Sequence, residues 1–372
     1  MPKKPAPSPY PPRLQRLRDA LRAAGVGHLL VTNPLDVGYL TGFLGGESYL
    51  LVPDSGRPTV ISDFRYEEEL QPVKPLADLH IRTTGMLPAT AEVVRSAGAR
   101  RCGIQAEHLN LADFRTLADS LAGAVEFVPT TGLVGKLRVI KDEHEVALIR
   151  KATRIQEAAL DAVIPTLRRG KAVGKSELEI AARLEAEMKA RGSSQPGFQS
   201  IIAAKANGSL PHYRPGPTKA AKDRPLLVDW GATYHGYQSD MTRTFTLGKW
   251  PKKIAEIYKI VLDAQQMAAA ALAPGKSTHE IDAIARNHIT RHGYGKEFGH
   301  GLGHGLGLSK EPPYLNPLVP PIPLEIGHVC TVEPGIYLPG VGGVRIEDIY
   351  VIRPRGAENF CTMPKDIDWA TL

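Results

Sequence analysis

Two stretches of this chain repeat one pattern. GKSELEIAARLEAEMKARG, ending at Gly192, and PGKSTHEIDAIARNHITRHG, ending at Gly293, share K-S-x-x-E-I beginning at Lys175 and Lys276, an offset of 276 − 175 = 101 residues. Each follows a long amphipathic stretch, one starting near Leu137 and the other spanning Lys252 to Leu272. In both copies a serine stands where it can cap a helix, Ser277 and Glu280 spell a capping box, and a glycine ends the helix before strand-rich sequence. A helix–helix–strands unit used twice predicts two like halves facing each other across a cleft between curved sheets.

Acidic residues sit in the strand-rich part of each half. LLVDWGATYHGYQSDMTRTF, Leu226 to Phe245, reads as two strands around a turn containing Gly231, His235 and Gly236, with Asp229 and Asp240 eleven residues apart. Downstream, FGHGLGHGLGL holds His300 and His304, HVCTVEPGIY holds Glu333, and GVRIEDIYVI holds Glu347. Glu333 and Glu347 read as a second carboxylate hairpin. Close carboxylates repel, and such pairs persist by sharing a proton or by holding divalent cations. Four carboxylates and one imidazole, with a second histidine nearby, form a hard donor set suited to Mn, Co, Fe or Zn in pairs about 3.5–4 Å apart. The three cysteines have no C-x-x-C spacing, which argues against a structural zinc. The glycine-rich run matches neither a phosphate loop nor a dinucleotide fingerprint.

With 372 residues, 42% of them hydrophobic, the chain is long enough for two domains. The net charge of +7 comes from Lys and Arg spread along the chain, which speaks against a nucleic-acid partner. No run approaches the ~20 apolar residues of a membrane span, and the simplest compartment is the cytoplasm. Residues 1–12, basic and broken by prolines, read as a disordered arm. Beyond it, LQRLRDALRAA is helical and HLLVTNP a strand, SYLLV and PTVIS form a hairpin about Pro-Asp-Ser-Gly, and helices near Ala89–Ser96 and Ala112–Leu121 alternate with strands. These make an N-terminal α/β domain over 1–133, with a linker near Pro129–Gly135 and a second domain over 134–372.

D-W-G, S-D-M-T-R-T, G-H-G-L-G-H-G-L-G, V-E-P-G and R-I-E-D, in that order, resemble the pita-bread metallopeptidases, and among them prolidases (Xaa-Pro dipeptidases) and aminopeptidases P. NPLDVGYLTGFLG and ISDFRYEEE resemble the N-terminal domain of the same enzymes, which methionine aminopeptidases lack. The resemblance implies an α/β (α+β) chain, with a small creatinase-like N-terminal domain and a pita-bread catalytic domain of internal pseudo-two-fold symmetry. It implies two divalent ions, manganese first and cobalt, zinc or iron as alternatives, on Asp229, Asp240, His304, Glu333 and Glu347, with Asp240 and Glu347 bridging. Glu333 would move the proton from the attacking water to the leaving nitrogen. His212, seventeen residues before Asp229, and His300 would contact the oxyanion or substrate, and Arg345 would help hold a glutamate and the substrate.

Where these enzymes carry a third histidine, seven residues beyond His304, this chain has Glu311, or Lys310 if one residue is deleted. Lys310 is expected to meet the terminal carboxylate of a dipeptide. The expected activity is hydrolysis of Xaa-Pro dipeptides by a homodimer, without nucleic acid or membrane. An aminopeptidase P acting on longer chains is the alternative. A metal-free hydrolase of the creatinase type and a non-catalytic binding protein are disfavoured because all five ligand positions are filled.

Overall fold

The computed structural model describes residues 8–168 and 171–372. It divides into two units between Arg138 and Val139. In the first, α1 (Tyr10–Ala23), β1 (His28–Val31), α2 (Pro34–Thr41), β2 (Tyr49–Pro53), β3 (Thr59–Ser62), β4 (Asp78–Ile81), α3 (Met86–Ser96), β5 (Arg101–Gln105), α4 (Leu111–Ser120) and β6 (Glu126–Thr130) build one sheet of order β4-β3-β2-β1-β5-β6. Its core packs Leu30, Leu51, Ile61, Val94, Ile104 and Leu117.

One expectation is corrected by α1. The arm expected over 1–12 is helical from Tyr10, because Pro11 and Pro12 fall in the first turn of α1, where a missing N–H costs nothing. Residues 1–7 lie outside the described residues. The division between the two units lies five residues beyond the boundary expected at 133/134. A short helix, α5 (Gly135–Val139), follows β6, and its Arg138 forms a buried ion pair with Asp36 of the first unit at 2.8 Å.

The second unit carries the duplication. α6 (Glu143–Leu167), α7 (Glu177–Ala190), β7 (Ile201–Ala204), β8 (Pro225–Trp230), β9 (Thr233–Tyr234), β10 (Tyr237–Gln238) and β11 (Met241–Thr246) form the first half. α8 (Lys252–Ala270), α9 (Thr278–Arg291), β12 (Gly303–Leu306), β13 (Lys310–Leu315), β14 (Val329–Val332), β15 (Gly335–Leu338), β16 (Gly342–Arg345), β17 (Asp348–Arg353) and β18 (Gly356–Asn359) form the second. The sheets run β11-β8-β7 and β13-β12-β14-β17-β18. Both α7 and α9 start with a complete capping box, Ser176 with Glu179 and Ser277 with Glu280. Gly192 and Gly293 follow them with positive φ.

The helices pack their apolar stripes under the sheets: Val146, Ile149, Leu160 and Val163 from α6, and Ile254, Ile257, Val261 and Ala264 from α8. Among the described residues no helix is long and apolar enough to cross a membrane. Cys102, Cys330 and Cys361 are buried free thiols.

Candidate metal centre

Strand register explains why four acids meet. In the β8–β11 ladder Thr242 lies opposite Asp229, and Asp240, two residues before Thr242, shares its face. On the other side Val332 pairs with Asp348 and Gly335 with Arg345, one continuous register that sets Glu333 opposite Glu347. The two hairpins are bonded to each other. Glu347 N–H donates to Thr242 O at 3.1 Å, and the Thr242 hydroxyl donates to Glu347 Oε2 at 2.7 Å.

His304 enters from β12. A Cβ on the next residue, Gly305, would stand 2.2 Å from the carbonyl oxygen of Glu311, so only glycine lets β12 lie this close to β13. His304 Nδ1 lies 3.0 Å from the Gly305 carbonyl, which can only accept, so Nδ1 carries the proton and Nε2 presents a lone pair. That Nε2 is 3.5 Å from Asp240 Oδ2 and 3.3 Å from Glu333 Oε1. Asp240, His304 and Glu347 each offer a ligand atom, all within 4.8 Å of one another. His304 Nε2, Asp229 Oδ1 and Glu347 Oε1 are buried without a hydrogen-bond partner. Buried polar atoms are normally satisfied, so three such atoms in one oxygen-rich cluster fit a hard cation.

The electrostatics agree. Burial and then the Asp229 charge raise the Asp240 pKa, burial and then Asp240 raise that of Glu347, and burial raises Glu333 to about 7 although Arg345 and Lys310 pull it down. Burial and then Lys310 push His304 down to about 3, which keeps it neutral. Burial thus favours the protonated form of these acids, and a bound cation favours the ionised form.

All the predicted site residues, His212, Asp229, Asp240, His300, His304, Lys310, Glu333, Arg345 and Glu347, line one cavity of about 500 Å³. Their partners sharpen several expectations. Arg345 turns to Asp229, with Nη2 to Oδ2 at 2.5 Å, and not to a glutamate; its Nε donates to Thr242 Oγ1 at 3.0 Å and Nη1 to the Tyr337 hydroxyl at 2.8 Å. His300 has both ring nitrogens engaged, Nδ1 with Gly301 O at 2.7 Å and Nε2 with the Tyr337 hydroxyl at 2.9 Å. Burial, and then Arg345, lower its pKa to about 4. His212 is exposed on the cavity wall.

Strand alternation puts Glu311 and Lys310 on opposite faces of β13. Glu311 is buried against Lys141 at 2.5 Å, whereas Lys310 lines the cavity with Nζ 5.9 Å from the Phe198 ring centroid. Partial burial works against the Lys310 charge, but Asp240, Glu333, Glu347 and Asp229 outweigh it and raise its pKa.

Sequence reading missed Thr242, Tyr337 and Thr331, whose hydroxyl donates to Glu333 Oε1 at 3.2 Å. Each stands an even number of residues from a site acid, Thr242 from Asp240 and Tyr337 and Thr331 from Glu333, so period-two alternation was the available signal.

Residues 147–354 match the model of metallopeptidase family M24, and residues 13–140 match the creatinase/prolidase N-terminal domain. The Xaa-Pro dipeptidase of Pyrococcus furiosus is 32% identical over 358 residues, 95% of this chain and 99% of that one. The solved Xaa-Pro dipeptidase of Bacillus anthracis superposes with a TM-score of 0.92 at 34% identity, over 98% of this chain and 100% of the other. An X-Pro aminopeptidase of Thermotoga maritima gives 0.86 at 30% identity, over 95% and 100%. With the family match running across both halves of the duplicated unit and through all five acid and histidine positions of the centre, this chain belongs to metallopeptidase family M24, whose members take the pita-bread fold.

Proposed function

We infer that the protein is a dinuclear metal-dependent dipeptidase that hydrolyses the bond before proline in Xaa-Pro dipeptides. The observation that carries this is the convergence of three unpartnered buried ligand atoms, from Asp229, His304 and Glu347, at the wall of a cavity of about 500 Å³, in a chain whose relatives are Xaa-Pro dipeptidases. Asp229, Asp240, His304, Glu333 and Glu347 would hold two divalent ions. The oxygen-dominated donor set favours manganese, with cobalt, iron and zinc able to enter. When bound, the ions supply Lewis acidity and a hydroxide nucleophile at neutral pH.

The chain's own residues supply the rest. Glu333, in the cavity wall beside the other ligands, takes the water proton and passes it to the leaving nitrogen, a step typically giving ~10²–10⁴-fold. Arg345 fixes Asp229 and, through Tyr337, orients His300. His212, exposed in the cavity wall, donates to the substrate or its oxyanion. A bond to proline is a tertiary amide with no N–H, which suits a compact cleft that does not grip an extended strand. The homodimer and the cytoplasmic compartment expected from the sequence carry over into this reading, and sedimentation velocity reads the oligomeric state.

The test is kinetic. Protein stripped by chelation should be inactive and regain turnover with Mn or Co, and kcat/KM should favour Met-Pro over Met-Ala by orders of magnitude. Comparable rates on the two dipeptides would remove the proline requirement. Faster cleavage of Met-Pro-Ala than of Met-Pro would move the assignment to an aminopeptidase P.

A further inference from the structure

The duplicated helices α7 and α9 begin alike, but their first residue, buried in both, is Glu177 in one and Thr278 in the other. Glu177 N–H donates to Thr218 O and Thr278 N–H to Ile322 O, each at 3.0 Å, and the returning N–H groups of Ala220 and Leu324 donate to Lys175 O and Lys276 O at 2.9 and 2.8 Å. The backbone frame is therefore the same in both halves. In the second half the hydroxyl of Thr278 accepts one bond, from Ile322 N–H at 3.2 Å. In the first half the corresponding side chain is a carboxylate that accepts four.

Glu177 is fully buried. Its Oε1 accepts from Ala204 N–H and the Asn207 amide, each at 2.8 Å, and its Oε2 accepts from the Tyr213 hydroxyl at 2.8 Å and Gly216 N–H at 3.0 Å. The Asn207 amide also donates to the Tyr213 hydroxyl at 2.8 Å, which closes the network. Burying a carboxylate is costly unless its lone pairs are filled, and among side chains only an ionised carboxylate offers about four acceptor sites and no donor. All four donors lie on one segment, 204–216. That segment brings His212 into the cavity and offers Pro211 O to Arg345 Nη1 at 3.4 Å.

The second half holds its own cavity histidine by another device, one turn further along the helix. Asp282 binds Arg286 with both oxygens, at 2.7 and 2.8 Å, and accepts from Leu302 N–H at 3.0 Å. Arg286 donates to Phe298 O at 2.9 Å and to His300 O at 2.8 Å. In each half, then, the second helix of the pair carries a charged anchor for the segment that presents a histidine to the cavity.

We propose that Glu177 is a positioning residue of the hydrolytic site: its carboxylate fixes segment 204–216 and with it the place of His212, as the Asp282–Arg286 pair fixes segment 298–302 and His300. What His212 acts on is taken from the Xaa-Pro hydrolase reading, whereas its placement by Glu177 rests on the hydrogen bonds alone. The two are separable by experiment.

Glu177→Gln keeps the shape and places an NH₂ against either Ala204 N–H or Gly216 N–H, backbone donors that cannot turn away. Hydrogen–deuterium exchange should rise about tenfold over 204–216, the loss of roughly 1.4 kcal/mol of local protection, while α9 and segment 298–302 keep the exchange of the unaltered chain. On Met-Pro the metal-loaded variant should lose about 10–100-fold in kcat/KM with its metal content unchanged. The same substitution in a His212→Ala background should cost less than about threefold, because the residue it places is already gone.

Unchanged exchange over 204–216 overturns the proposal, and so do equal losses in the two backgrounds. If the unaltered metal-loaded enzyme fails to cleave Met-Pro, the hydrolase reading falls and exchange alone decides the positioning. Should the Gln chain not fold, Tyr213→Phe removes one of the four donors and is judged by the same measurements.

Discussion

Arg345 Nη2 lies 2.5 Å from Asp229 Oδ2, joining residues 116 apart, one from each half of the duplicated unit. The guanidinium also reaches Thr242 and Tyr337, so a single planar cation braces both hairpins of the centre. A lysine offers one compact charge in place of this fork. Arg345→Lys should therefore lose ~10²-fold in kcat/KM on Met-Pro, the scale of a ~1 Å misplacement of reacting groups. A fall in Tm should accompany it, since breaking a buried ion pair typically costs about 3–5 kcal/mol. Steady-state kinetics and a melting curve check both; activity within about threefold of the unaltered enzyme would contradict the bracing role.

The metal-free centre should be sensitive to pH in a direction set by Glu333. Burial raises its pKa from 4.5 to about 7, so the protonated form suits the fold, and its stabilising share is complete below about 4.5 and lost as pH rises through about 7. Burial also raises Asp240 and Glu347, so they act in the same sense. Tm of chelated protein should fall between pH 5.5 and 8, and Glu333→Gln should flatten that slope. Metal affinity should run the other way, tightening with pH by roughly tenfold per unit below about 7 for each proton displaced. Identical slopes for the unaltered chain and Glu333→Gln would show that another group governs the titration.

Lys310 and Glu311 are neighbours in sequence with opposite tasks. Lys310 faces the cavity and its four acids, and Glu311 pairs with Lys141 in the interior. Lys310→Ala should raise KM for Met-Pro well beyond its effect on kcat, and should scarcely affect Met-Pro amide, which lacks the terminal carboxylate. Glu311→Ala should instead lower Tm without separating the two substrates, because it leaves Lys141 buried and unpaired. Equal KM changes on acid and amide for Lys310→Ala would assign the lysine to the centre's own charge balance.

The duplication, the caps of α7 and α9, and the two carboxylate hairpins were legible in the chain because their signals are local: a repeat of 101 residues, Ser and Glu three apart, and alternation of strand faces. The start of α1 is harder to see in the chain, since prolines that break a helix interior are harmless in its first turn.

Other features were decided only by the tertiary fold. The face on which Lys310 falls depends on how β13 registers against β12, across a bulge between Gly303 and Gly305. The choice of Asp229 by Arg345, the bond from Thr242 to Glu347 and the grip of Glu177 on segment 204–216 join residues 27 to 116 positions apart. Sequence patterning fixes which side chains of a strand or helix share a face, because that follows from backbone periodicity. Which distant donor meets which acceptor follows from the packing of whole elements, where burial makes every unfilled polar atom costly and so selects one pairing.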